Sequence, residues 1–84
     1  MSKREEWVTG RLSYNCENDR YGLIQGAQWM NEGFHCGDGL QVMIDGEWVD
    51  TAVEMSWDEN GGAWYLVGTP YRRNLENVSA RIKK

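Results

Sequence analysis

"LQVMIDGEWV", residues Leu40 to Val49, is the stretch on which the fold turns. Before Asp45 the apolar side chains fall on alternate positions, Leu40, Val42 and Ile44, with Gln41 and Met43 between them. A period of two is the pattern of a strand with one buried face. Asp45-Gly46 then accepts the positive φ angles that a two-residue type I′ reversal demands. That reversal sets Ile44 opposite Glu47, Met43 opposite Trp48, Val42 opposite Val49 and Leu40 opposite Thr51. Leu40, Val42, Ile44, Val49 and Val53 then share an inner face. Met43 and Trp48 pair on the outer one, a contact worth roughly 0.2–1 kcal/mol relative to Ala–Ala.

The same reading extends in both directions. Upstream lie a first strand from Trp7 to Tyr14, with Val8, Leu12 and Tyr14 tending to one side, a short strand from Tyr21 to Gln25, and a weaker piece at Gln28 to Met30. The turns between them are "NCENDR", "NEG" and "CGDG". Downstream, the strand begun at Glu47 runs to Trp57 and bends to serve two sheets. "DENGG" follows as a turn and "AWYLVG" as the returning strand. A four-residue loop there points Trp64 and Leu66 inward, and a five-residue loop points Tyr65 and Val67 inward, because a one-residue slip exchanges the faces. "TPYRRNLEN" reads as a loop with scope for a helical turn after Pro70. "VSARIK" is the last strand, with Val78, Ala80 and Ile82 alternating. No apolar stripe of helical period interrupts this series.

Eighty-four residues make a single domain over positions 1–84, with residues 1–6 a flexible N-terminal arm. Five Trp, four Tyr and one Phe supply large buried areas, so a chain this small folds without a metal or disulfides, and no cofactor is expected. The expectation is an all-β, small SH3-like barrel of five or six short antiparallel strands, with an OB-like barrel as the alternative. Closure of the last strand against the first removes the exposed edges of an open sheet.

The composition also limits function. Nine Lys and Arg against thirteen Asp and Glu give a net charge of −4, which disfavours nucleic acid as a partner. The basic residues sit mainly at the ends, Lys3 and Arg4, then Arg72 and Arg73, then Arg81, Lys83 and Lys84, where paired terminal strands would gather them into one local edge. No apolar run is long enough to span a membrane, and no apolar segment follows the charged "MSKREEWVTG" as in a signal peptide. The expected location is cytoplasmic, with Cys16 and Cys36 reduced.

Phrases from Thr9 to Ile82 resemble a small uncharacterised family, a domain of unknown function of Gram-positive bacteria and their mobile elements. They are "GRLSYN", "RYGL", "GFHCGDGLQVMIDGEWVDTAVEMSW" and, most specific, "WYLVGTPYRRNLENVSARI". The resemblance implies a free-standing small β domain and transfers no catalytic residue.

Each candidate chemistry meets a plainer reading. His35 and Cys36 are neighbours on an extended segment and point apart, unlike a nucleophile and its base. A small buried cysteine at the turn, with His35 at the rim, accounts for them. Cys16, His35 and Cys36 make at most three metal ligands, where structural zinc takes four. Gly37-Asp38-Gly39 lacks the spacing of a phosphate loop and reads as a turn whose Asp side chain bonds the backbone. Asp50, Glu54, Asp58 and Glu59 suit a solvated sheet face better than paired-carboxylate hydrolysis.

The aromatics carry the strongest functional signal. Met43 and Trp48 turn outward, and "PYRR" adds Tyr71, Arg72 and Arg73; these residue types are enriched in interface cores. Met43, Trp48, Trp64, Tyr71 and Arg72 are therefore the expected binding patch of a non-enzymatic protein-interaction module with an unidentified protein partner. The competing structural role has Trp48 covering the barrel's open side beneath the N-terminal arm around Trp7. Nucleic-acid binding, or inhibition of a host enzyme by a mobile-element protein, are the alternative functions.

Overall fold

The structure is a computed structural model that describes residues 6–59 and 61–83. The expected arm over residues 1–6 lies, apart from Glu6, outside them. Seven strands follow one another: β1 (Trp7–Asn15), β2 (Arg20–Gln25), β3 (Gln28–Asn31), β4 (Gly39–Ile44), β5 (Glu47–Asp58), β6 (Gly61–Leu66) and β7 (Ser79–Lys83). They form one antiparallel sheet in the order β3-β2-β1-β7-β4-β5-β6. No described residue is helical.

The β4–β5 hairpin has the register that the Asp-Gly turn dictates, from Ile44↔Glu47 through Met43↔Trp48 and Val42↔Val49 to Leu40↔Thr51. Asp45 and Gly46 take φ values of 51° and 82°, both in the left-handed region that a type I′ turn requires. Leu40, Val42 and Val53 are buried, and Ile44 packs against them from the hairpin end.

Two long strands change partner part-way, and this curls the sheet. β1 pairs with β7 over Trp7 to Arg11 and with β2 over Arg11 to Asn15. β5 pairs with β4 up to Ala52 and with β6 from Val53 onward. The inner faces thereby turn toward one another and enclose a single core that includes Leu12, Leu23, Val42, Val53, Leu66 and Ala80. Phe34 and Leu75 enter it from the connecting loops. Burying each such side chain contributes on the order of 1.5–3 kcal/mol.

The expectation of five or six strands closed as a barrel is corrected on both counts. There are seven strands, and no ladder joins β3 to β6 among the described residues, so the sheet is open. The last strand does pair with the first, but β4 lies on its other side, which places β7 mid-sheet.

The loop after Pro70 is also not helical. It doubles back along β6: the Leu66 amide donates to the Tyr71 carbonyl at 3.0 Å and the Arg73 amide to the Trp64 carbonyl at 2.8 Å. The loop thus pairs with the edge of β6, and Tyr65 bridges to Arg72. Further on, Glu76 accepts from the Ser13 hydroxyl at 2.9 Å and from the Tyr14 amide at 2.8 Å, tying the same loop to the half of β1 that β7 leaves uncovered.

Candidate functional site

The five residues expected to form one binding patch are divided between the two faces of the sheet. Met43 and Trp48 pair on the outer face of the β4–β5 hairpin, and both are half-buried. Trp48 is covered by Arg81, whose guanidinium carbon lies 4.5 Å from the Trp48 ring centroid and 4.2 Å from that of Trp7. Arg81 is held in this sandwich by Gln41, whose Oε1 accepts from Arg81 Nε at 2.8 Å while its Nε2 donates to Asp50 at 2.7 Å. Trp48 and Trp7 thus flank one guanidinium, a packing contact on the outer face of the sheet.

Trp64 and Tyr71 face the other way and pack against the core. The pairing Val53↔Leu66 and Met55↔Trp64 turns Trp64 and Leu66 inward, the first of the two registers open in the sequence. The Tyr71 hydroxyl donates to the Met43 carbonyl at 3.1 Å, so this phenol anchors the loop to β4. Arg72 is exposed and lies over the Tyr65 ring at 5.2 Å.

Trp64 alone among the five borders a different feature, a cleft of about 400 Å³ between the β1–β2 turn and the β5–β6 hairpin. Tyr14, Tyr21, Met55, Trp57 and Trp64 supply its apolar walls, with Asp19 and Arg73 as the charged groups. Tyr14 and Tyr21 meet edge to face, with centroids 5.4 Å apart and planes at 70°. Tyr21 is a fixed floor: its hydroxyl donates to the Arg73 carbonyl at 3.4 Å and accepts from the Leu75 amide at 3.3 Å. Trp64 Nε1 donates to the Asp19 carbonyl at 3.2 Å, and Arg20 lies over the Trp64 ring at 5.6 Å. These contacts link the two rims of the cleft.

Trp57 differs from the rest. It continues the inward row Val53, Met55 past the end of the core and is 76% exposed. Its partner across the hairpin is Gly62, where an added Cβ comes 2.9 Å from the Trp57 ring and 2.7 Å from Met55 Sδ. Glycine at this position lets the indole lie across the opposite strand.

Electrostatics at the cleft centre on Asp19. The Tyr14 hydroxyl donates to Asp19 Oδ1 at 2.6 Å, and this bond to the carboxylate raises the Tyr14 pKa above its ordinary value; weaker contributions come from desolvation and the Asp19 charge.

Sequence reasoning missed Tyr14, Asp19, Tyr21, Met55 and Trp57 as a group. The signal was the period of two along β5, which carries Trp57 on the core face once the hairpin register is known.

The remaining motifs take structural positions. Asp38 Oδ2 accepts from the His35 amide at 2.8 Å, the expected turn held by its Asp side chain. The expectation of a buried Cys36 is corrected: Cys36 is exposed, as is Cys16, and both are free thiols. The turn projects its side chains outward because its backbone continues the ladder onto β5, with the Gly37 amide donating to the Val53 carbonyl at 2.8 Å and the Val53 amide to the Asp38 carbonyl at 3.0 Å. Among the described residues no three His, Cys, Asp or Glu side chains group as a metal site.

The sequence pattern of DUF5348, a domain of unknown function, matches residues 10–82. The chain belongs to this family. Neither a curated protein nor a solved structure matches the chain. The family match spans both rims of the cleft, from the β1–β2 turn to the β5–β6 hairpin and the loop that returns along β6.

Proposed function

We propose that this chain is a non-enzymatic recognition module, acting in the cytosol, that grips an extended segment of a partner protein in the cleft of Tyr14, Tyr21, Met55, Trp57 and Trp64. The observation carrying this reading is Trp57, a large indole that lines an aromatic cleft and is left 76% exposed. Exposed apolar area of this kind costs solubility unless a partner covers it, and tryptophan and tyrosine are the side chains that anchor interfaces. In this reading the curled sheet works as small SH3-like barrels do, offering an aromatic-lined groove to an extended peptide. That likeness is one of architecture.

Selection of a random-peptide display library on the full chain, with counter-selection on Trp57→Ala, tests the reading. Clones enriched on the parent chain and lost on the variant support it. Absence of enrichment, or enrichment indifferent to Trp57, overturns it.

Nucleic-acid binding draws on Arg20 and Arg72, which lie over Trp64 and Tyr65. It has to overcome a net charge of −4. Its mark is affinity for single strands that falls steeply with added salt.

A further inference from the structure

The cleft has a chemistry more specific than apolar contact, and the inference that follows rests on reading it as a peptide site. Aromatic ring faces carry the negative part of the ring quadrupole and attract cations. This chain uses that attraction repeatedly within itself: Arg81 between Trp7 and Trp48, Arg20 over Trp64, Arg72 over Tyr65. Trp57 is exposed and has no cation over its ring among the described residues. From the other rim of the same cleft, Asp19 contributes a carboxylate whose Oδ1 is taken by Tyr14, while Oδ2 accepts no hydrogen bond from the described residues. The whole chain, at −4, adds a field that favours a basic partner. Arg73 also lines the cleft, so the favourable seat for a positive charge is on the Asp19 side.

We propose that the cleft receives a lysine or arginine side chain from an extended basic segment of a partner protein. The aliphatic stem lies against Tyr14, and the charged head sits over the Trp57 ring face and reaches Asp19 Oδ2.

The test uses the full isotope-labelled chain, with the indole N–H resonances of Trp57 and Trp64 as the readout. It is titrated with short alanine–proline peptides of equal length carrying lysine, arginine, norleucine or glutamate at the centre. The lysine and arginine peptides should shift both indoles and bind about tenfold more tightly than the norleucine peptide, as cation–π attraction together with an ion pair implies. Asp19→Asn should weaken the lysine peptide by up to about fivefold and leave the norleucine peptide unchanged. Tyr14→Phe keeps the ring and releases Asp19, so it should retain lysine binding, which separates loss of charge from damage to the turn. Equal or tighter binding of norleucine or glutamate in the cleft overturns the cationic assignment and leaves peptide recognition standing. If none of the four peptides moves the cleft resonances, both readings fall.

Discussion

The Tyr14 hydroxyl bond to Asp19, at 2.6 Å, links one side chain's titration to the fold. Ionising the phenol breaks that bond and sets a phenolate against a carboxylate, so the Tyr14 pKa lies above its unfolded value. The linked stability is fully present below the unfolded phenol pKa and is lost as pH rises through the higher, folded one. Tyrosinate absorbance followed against pH should therefore show Tyr14 ionising later in the native chain than in denaturant. Asp19→Asn should move that late component back toward the ordinary phenol value. Unchanged titration in the variant means that Asp19 is not the cause. At this scale the sequence was a poor guide. Tyr14 reads as a core-facing residue of an alternating strand, yet it is 43% exposed on the wall of the cleft.

At the level of single elements, the Asp45-Gly46 hairpin and the Arg81 sandwich make separate predictions. Gly46 has φ 82°, where a branched side chain is strained by roughly 1–2 kcal/mol. Gly46→Val should lower the free energy of unfolding by about that amount in a denaturant titration, without altering the strand content seen by circular dichroism. Arg81 stacks on two indoles and bonds Gln41, so Arg81→Ala should cost about 1–2 kcal/mol in the same titration. Arg81→Lys should restore part of the loss, since ammonium keeps the charge but not the flat stacking surface. An Arg81→Ala variant as stable as the parent removes the structural role assigned to Trp7 and Trp48. The two elements were unequally legible for a physical reason. A two-residue Asp-Gly turn specifies its own register, so every pair in the β4–β5 ladder could be read from local chemistry. "DENGG" admits several loop lengths, and only the packing of Leu66 and Trp64 against the core selects Val53↔Leu66. The division of the expected patch follows from the same gap, because the facing of Trp64 depended on that choice.

Taken as a whole, the molecule is organised by long-range pairing that no local pattern announces. The alternation of Val78, Ala80 and Ile82 marked β7 as a strand, and its pairing with β1 followed from the expectation of closure. Its second neighbour, β4, was not legible, because strand order in a sheet is set by the competition of whole faces for burial. β7 is the seam between β1–β3 and β4–β6. On a translating ribosome both hairpin groups are synthesised before it, and each waits with an unsatisfied margin along β1 or β4 until residues 79–83 emerge. Nascent chains arrested before Ser79 clears the exit tunnel should therefore remain protease-sensitive, and those in which Lys83 has cleared it should become resistant in one step. During that interval the exposed strands are natural clients for a holdase chaperone, which makes the delay before β7 emerges a determinant of yield.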